Sequence, residues 1–222
     1  MKTGLVDRGL LSRRTADGLK LDFARLRARQ HRHRRDAWPE LLHLGASRRQ
    51  VSGWLNVDVA DSDCDVDLAS RRPLPWPDST FFAIVSQHVI EHLEMEELAR
   101  LLAELRRVIR DDGDMWLSCP DMEKVCRGYV HDKGATLCAT RVARWPEGAP
   151  AHGTPPQQIV NLIFHQWGQH RNLYDFDLLT WMLRNAGFRF CDRTEESALL
   201  HRFPEFPARN DDDHALYVIA RP

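Results

Sequence analysis

The chain has 222 residues, 43% of them hydrophobic and 28% charged, with a formal net charge of −1 at neutral pH. That length and apolar content suit one full-sized core plus an arm. No apolar run approaches the ~20 residues that span a bilayer, and no signal-type apolar segment opens the chain. The five cysteines (Cys64, Cys119, Cys126, Cys138 and Cys191) are scattered and form no CxxC pair, the usage expected of a reduced, cytoplasmic protein.

Charge is unevenly spread. Residues 1–35 hold eleven Lys or Arg against three Asp, and the remainder carries the compensating acidic excess. A basic arm of this kind suits nucleic acid, an anionic surface, an anionic substrate, or the acidic body of its own chain. Helical spacing over 14–36 sets Leu19, Phe23 and Leu26 on one face, with Arg25, Arg27, Arg29, Arg32, Arg34 and Arg35 over the rest. Trp38-Pro39 closes the arm, so the expected units are a basic helical arm over 1–38 and a domain over 39–222.

Strand and helix signals then alternate, the pattern of an α/β domain with a parallel sheet. Strands are expected over 40–45, 54–59 and 81–86, with a short one at Val66-Asp67-Leu68. Pro73, Pro75 and Pro77 exclude regular structure up to Asp78. Residues 94–110 carry Leu98, Leu101, Leu102, Leu105, Val108 and Ile109 at helical spacing, with Asp111-Asp112-Gly113 as the stop. Met115 to Cys119 reads as the next strand. Residues 121–170 break the rhythm with Gly134, Gly148, Gly153, Pro146, Pro150, Pro155 and Pro156 among them and read as a loop-rich, lid-like insertion. A helix over 175–187, a strand over 188–192 and a final antiparallel strand over 216–220 complete the reading.

Gly45 closes the first strand, where a missing side chain lets backbone approach a ligand. Asp58 closes the second, where a carboxylate accepts both hydroxyl hydrogens of a ribose. Asp58 follows Gly45 by thirteen residues, short of the ~20 of a dinucleotide fingerprint, and G-x-G-x-x-G is absent. A nicotinamide or flavin dehydrogenase is therefore disfavoured, while a nucleoside ligand beyond the carboxyl ends of the strands is retained.

The order LHLGAS, GWLNVDV, DVDLASRRPLPWPDSTFFAIVSQHVIEHL and LRRVIRDDGDMWLSCPD resembles the class I S-adenosylmethionine-dependent methyltransferases. It is most similar to a bacterial group of small, type 11-like members. A later HRNLYD…LRNAGF segment extends the resemblance over about residues 40–220. The resemblance implies a Rossmann-like, doubly wound sheet of seven strands with the last reversed and helices on both faces. It implies S-adenosylmethionine as cofactor, with Gly45, Ala46 and Ser47 facing its methionine part and Asp58 on its ribose. Asp67 and Leu68 would lie near the adenine, and Ser86, Gln87 and His88 on the sulfonium side. The sequence departs from the group at Ser47, where a glycine is usual, at Phe82, where an acid is usual, and at Arg110-Asp111-Asp112-Gly113, which keeps one glycine of its turn.

The expected activity is O-methylation of a small molecule or sugar. Two alternatives are an RNA methyltransferase that uses the basic arm and an inactive nucleoside-binding domain. Histidine suits a base near an acceptor hydroxyl because it titrates near neutrality. His88 is the first candidate and His170 the second. Trp145, Trp167, Tyr129 and Tyr174 are candidates for stacking on the acceptor. His88, Glu91 and His92 fall at i, i+3 and i+4 on a helix, with His170 as a fourth donor, a set that suits a divalent metal. The alternative retained over it is that His88 and His92 shape the substrate pocket and Glu91 hydrogen-bonds to backbone, without a metal. The inverzincin reading of HxxEH is rejected because the motif follows a buried strand.

Overall fold

The computed structural model describes residues 13–30, 38–146 and 153–222. Arg32, Arg34 and Arg35 of the arm, and Gly148 and Pro150 of the insertion, lie outside the described residues. The strands are β1 (Leu41–Leu44), β2 (Leu55–Asp58), β3 (Cys64–Asp65), β4 (Phe81–Gln87), β5 (Ile109–Pro120), β6 (Phe190–Thr194) and β7 (Ala215–Arg221). They form one sheet in the order β3-β2-β1-β4-β5-β7-β6. Strands β1 to β5 pair in parallel, and β7 runs antiparallel to both β5 and β6. This is the expected seven-stranded sheet with a reversed last strand.

Both faces are covered, which is why the central strands read as nearly continuous apolar runs. Along β7, Leu216, Val218 and Ala220 join one core while Ala215, Tyr217 and Ile219 join the other. The alternation follows from the two-residue period of a strand. The first core is closed by α2 (Met95–Val108), whose Leu98, Leu101, Leu102, Leu105 and Val108 are buried, and by α6 (Phe176–Asn185). Glu94 and Glu97 form a capping box at the start of α2, satisfying two otherwise orphaned donors. The second core gathers Trp54, Trp116, Phe203 and Phe206 beneath α7 (Glu196–Arg202).

Several expected boundaries move. Asp111-Asp112-Gly113 does not end a helix before a separate strand, because β5 follows α2 directly. Ile109 pairs with Phe81 and Asp114 with Ala83, so residues 110–113 form an irregularity in β5. Gly113 is needed there: a Cβ would lie 2.7 Å from the Phe82 carbonyl oxygen. The third strand sits at Cys64–Asp65, two residues earlier than expected, and α7 had no counterpart in the sequence reading.

The insertion is helical rather than loop-rich among the described residues. It contains α3 (Met122–Asp132), α4 (Ala135–Arg144) and α5 (Gln158–His165). Val125, Leu137, Ile159, Val160 and Ile163 give it a small core of its own. Its Gly and Pro residues mark turns between helices instead of one long loop. Buried Asp121 caps α3 by accepting from the Glu123 and Lys124 N–H groups, and Arg193 of β6 pairs with it at 3.1 Å. In the arm, helix α1 spans Arg13–Gln30, and Leu19, Phe23 and Leu26 are exposed. Its Arg25 stands 3.6 Å from the buried Asp67 carboxylate, so the arm meets the body of its own chain there. No helix among the described residues is long and apolar enough to cross a membrane.

The buried pair His43 and Asn56 tests the packing of β1 on β2. These residues are register partners, and His43 Nδ1 lies 3.1 Å from Asn56 Oδ1. Asn56 Oδ1 also accepts the Val51 N–H, so His43 Nδ1 is the donor. Burial, with repulsion from Arg209, lowers the imidazole pKa from 6.5 to about 4. The unfolded chain therefore takes this proton first as pH falls, and stability drops between pH 6.5 and 4. Between pH 8 and pH 5 the wild type is expected to lose about 2 kcal/mol more than His43→Leu, measured by urea unfolding at both pH values. Equal losses in the two proteins would refute the assignment.

Candidate active site

Strand register builds the site. Leu44 pairs with Val57 on one side and with Ser86 on the other. Gly45, Asp58 and Gln87 therefore stand level at the carboxyl edge of the sheet. In a doubly wound sheet this edge is where ligands bind. Gly45 has φ +69°, and its N–H donates to the Val57 carbonyl at 2.7 Å; the Ala46 N–H donates to the same oxygen. A Cβ on Gly45 would lie 2.0 Å from Val89 Cγ2, so the glycine loop packs directly on the turn that follows β4.

Ser47 also takes a left-handed conformation, with φ 45°, which explains on steric grounds why a glycine is usual there. The Asp58 carboxylate is held by two backbone donors. Oδ2 accepts from the Ser47 N–H at 2.9 Å and Oδ1 from the Val59 N–H at 2.6 Å. Each oxygen keeps a lone pair for a further donor. Asp58 and Ser47, with Arg48, Gln50, Ala60 and Asp61, line an open recess of about 520 Å³. Asp67 and Leu68 instead line a second recess of about 310 Å³ beside α2. Asp67 also accepts from the Ala69 N–H and faces Arg25 of the arm. The residues expected near the adenine and the ribose thus border separate recesses.

Ser86 and Gln87 end β4 and are buried. Gln87 Nε2 has no hydrogen-bond partner among the described residues. A buried donor without a partner at the sheet edge is a polar group available to a ligand.

His88 follows in a left-handed conformation, φ 58°. Its Nε2 lies 2.7 Å from Asp211 Oδ2 and its Nδ1 3.2 Å from Glu91 Oε1. Burial opposes its charge, but the Asp211 and Glu91 carboxylates outweigh burial and raise its pKa. Burial likewise opposes ionisation of Glu91 and Asp211, and the bond to His88 outweighs it in each, so both sit below the ordinary carboxylate range. Asp211 Oδ1 accepts from the Tyr217 hydroxyl at 2.7 Å. Burial first, and then the Asp211 charge, push the Tyr217 phenol up, which keeps it a neutral donor. The chain Tyr217–Asp211–His88–Glu91 holds the His88 ring between two carboxylates, which favour its doubly protonated state. In that state neither ring nitrogen has a lone pair to take a proton from an acceptor.

Asp211 was not among the sequence candidates. Its only signal is the run Asp211-Asp212-Asp213 before the last strand, which reads equally well as a solvated turn.

His170 is placed differently. Its Nδ1 lies 2.7 Å from the Ile163 carbonyl, which can only accept, so Nδ1 carries the proton. Nε2 has no hydrogen-bond partner among the described residues. Burial lowers the His170 pKa, leaving a neutral ring with a lone pair. The His92 and His170 rings meet edge to face at 5.0 Å. Of the aromatic candidates, Trp145 and Trp167 are exposed and stand edge to face at 6.4 Å, and Tyr129 is exposed. Tyr174 is fully buried in the main core, which removes it as a stacking surface.

Residues 20–117 match a family described as a methyltransferase domain. No curated protein matches the chain in sequence. Among solved structures, the methyltransferase domain of a citrinin polyketide synthase is similar at 14% identity and TM-score 0.47, over 82% of this chain and 45% of that one. Human N-acetylserotonin methyltransferase in complex with S-adenosylmethionine is similar at 13% identity and TM-score 0.39, over 71% and 32%. An S-adenosylmethionine-dependent methyltransferase from Archaeoglobus fulgidus is similar at 12% identity and TM-score 0.46, over 91% and 94%. The chain spans less than half the length of the first two.

Proposed function

We propose that this chain is a class I S-adenosylmethionine-dependent methyltransferase of the type 11 kind, a reading supported by the methyltransferase-domain match over residues 20–117, and that it methylates an oxygen of a small molecule or glycan. The observation that carries the reading is Asp58. Its carboxylate stands at the end of β2, beside the recess and level with Gly45, with lone pairs left on both oxygens. That donor set fits a ribose, whose two hydroxyls need paired acceptors, and the glycine loop beside it fits a close backbone approach. When bound, S-adenosylmethionine supplies an electrophilic methyl group on a sulfonium centre.

The chain's own part is binding and alignment. Asp58 accepts the ribose hydroxyls, and the Gly45–Ser47 loop offers backbone along the methionine part. Gln87 Nε2 offers a donor at the end of β4. Holding donor and acceptor in line, with water excluded, supplies much of the rate enhancement in such a displacement. Of the two candidate bases, His88 is committed to its carboxylates and His170 presents a free lone pair. The exposed Trp145–Trp167 pair on the insertion supports an acceptor with a ring or sugar face. The scattered cysteines support a cytoplasmic setting.

The test is calorimetric titration of the purified protein with S-adenosylmethionine and S-adenosylhomocysteine, repeated on Asp58→Ala. The wild type is expected to bind both in the micromolar range. Two hydrogen bonds to a charged group, at ~1.5–3 kcal/mol each, predict at least a hundredfold weaker binding in the variant. Circular dichroism checks that the variant is folded. A folded wild type that binds neither ligand would overturn the enzyme reading.

A further inference from the structure

Glu91, His92 and His170 each offer one ligand atom, and these atoms all lie within 4.8 Å of one another. We propose that these three side chains bind one divalent transition-metal ion, with His88 and Asp211 orienting the carboxylate from outside. Two imidazoles and one carboxylate are a donor set for zinc, manganese, iron or cobalt, and leave coordination positions open.

Two independent observations point to a ligand here. Glu91 Oε2 and His170 Nε2 are both buried and have no hydrogen-bond partner among the described residues. Their side chains are 1% and 3% exposed. A buried carboxyl group with an idle oxygen, beside a buried imidazole nitrogen without a partner, is costly unless something binds both.

The tautomers are also set for binding. His92 Nδ1 lies 3.3 Å from the Gln169 carbonyl and His170 Nδ1 2.7 Å from the Ile163 carbonyl. Carbonyls only accept, so both rings carry the proton on Nδ1 and turn the Nε2 lone pair outward. This is the second-shell arrangement that orients metal-ligating histidines. The Glu91 carboxylate is oriented the same way: Oε1 is taken by His88 Nδ1, His88 is pinned by Asp211, and Oε2 is left over. Backbone bonds hold the two halves together, because the Arg171 N–H donates to the Glu91 carbonyl at 2.8 Å and Asn172 Nδ2 to the Leu93 carbonyl at 2.9 Å. The spacing of HxxEH places His88 among the ligands, whereas the geometry removes it to the outer shell.

Glu91 and His92 lie just past β4, on the turn whose Val89 packs against Gly45, and His170 joins them from the segment after α5. The ion's role rests on the methyltransferase reading: its open positions would take an acceptor oxygen, lowering the pKa of the hydroxyl and fixing its orientation. The binding site itself does not depend on that reading.

The experiment is titration of chelator-treated full-length protein with Co²⁺, followed by visible absorption and by metal analysis after dialysis. S-adenosylmethionine binding is measured on the same preparations. One tightly held equivalent with a d–d spectrum is expected. His92→Gln and His170→Gln should each weaken it at least ~100-fold, with an unchanged far-ultraviolet spectrum, and His165→Gln should leave it intact. Glu91→Gln should also abolish binding, but it is buried, so half-exposed His92 is the decisive position. No stoichiometric cobalt, or cobalt binding indifferent to His92→Gln and His170→Gln, would overturn the site. Cofactor binding without cobalt binding sinks the metal site alone, and cobalt binding without cofactor binding sinks the enzyme reading alone.

Discussion

Asp211→Ala is expected to destabilise the protein by about 3–5 kcal/mol, the range for removing one partner of a buried ion pair. The variant removes the oxygens that hold His88 Nε2 and the Tyr217 hydroxyl, each at 2.7 Å, and leaves His88 with Glu91 alone. The backbone of Asp211 continues to accept from the His214 and Ala215 N–H groups, so the loss belongs to the side chain. Asp211→Asn should cost less, because its amide oxygen can still accept from Tyr217 while the charge is gone. Urea unfolding of the three proteins gives the comparison. A loss below about 1 kcal/mol in Asp211→Ala would mean that the carboxylate is not the anchor of His88.

Gly45→Ala is expected to cost about 2–5 kcal/mol and to remove cofactor binding. One contribution is the left-handed backbone at φ +69°, worth ~1–2 kcal/mol for a residue with a Cβ. The other is overpacking, worth ~1–3 kcal/mol, because the new methyl would lie 2.0 Å from Val89 Cγ2. The two separate in a double-mutant cycle. Val89→Ala removes the colliding methyl, so Gly45→Ala/Val89→Ala should recover the overpacking part and leave the backbone part. Strict additivity would show that Gly45 and Val89 are not in the contact described. The collision also pushes on the Ile90–His92 turn, so cofactor and metal binding should both suffer in the single variant.

The elements that sequence alone located were those whose burial pattern is local. Strand β4 and helix α2 each carry their period in a few consecutive residues, because both faces of β4 and one face of α2 meet core. Glycine and acid at successive strand ends gave Gly45 and Asp58 for the same reason: each sits where its own strand stops. The insertion was read as loop-rich because Gly and Pro were counted without the small core of Val125, Leu137 and Ile159 that turns the segments between them into helices. The Asp111-Asp112-Gly113 stop failed because a sheet neighbour, Phe82, holds that stretch in β5.

The site shows the same division. From the sequence came the sheet, its reversed last strand, the glycine loop, the acid at the end of β2 and the set of residues around His88. Only the tertiary structure decided their protonation and partners. The His88 pKa is raised because the chain returns Asp211 to it from 123 residues away. His170 keeps its lone pair on Nε2 because burial lowers its pKa and the end of α5 places a carbonyl on its Nδ1. Local pattern records which residues face a core, since burial is enforced residue by residue along an element. A proton's position depends on which charges fold brings within about 3 Å, and that distance is set by contacts far apart in the chain.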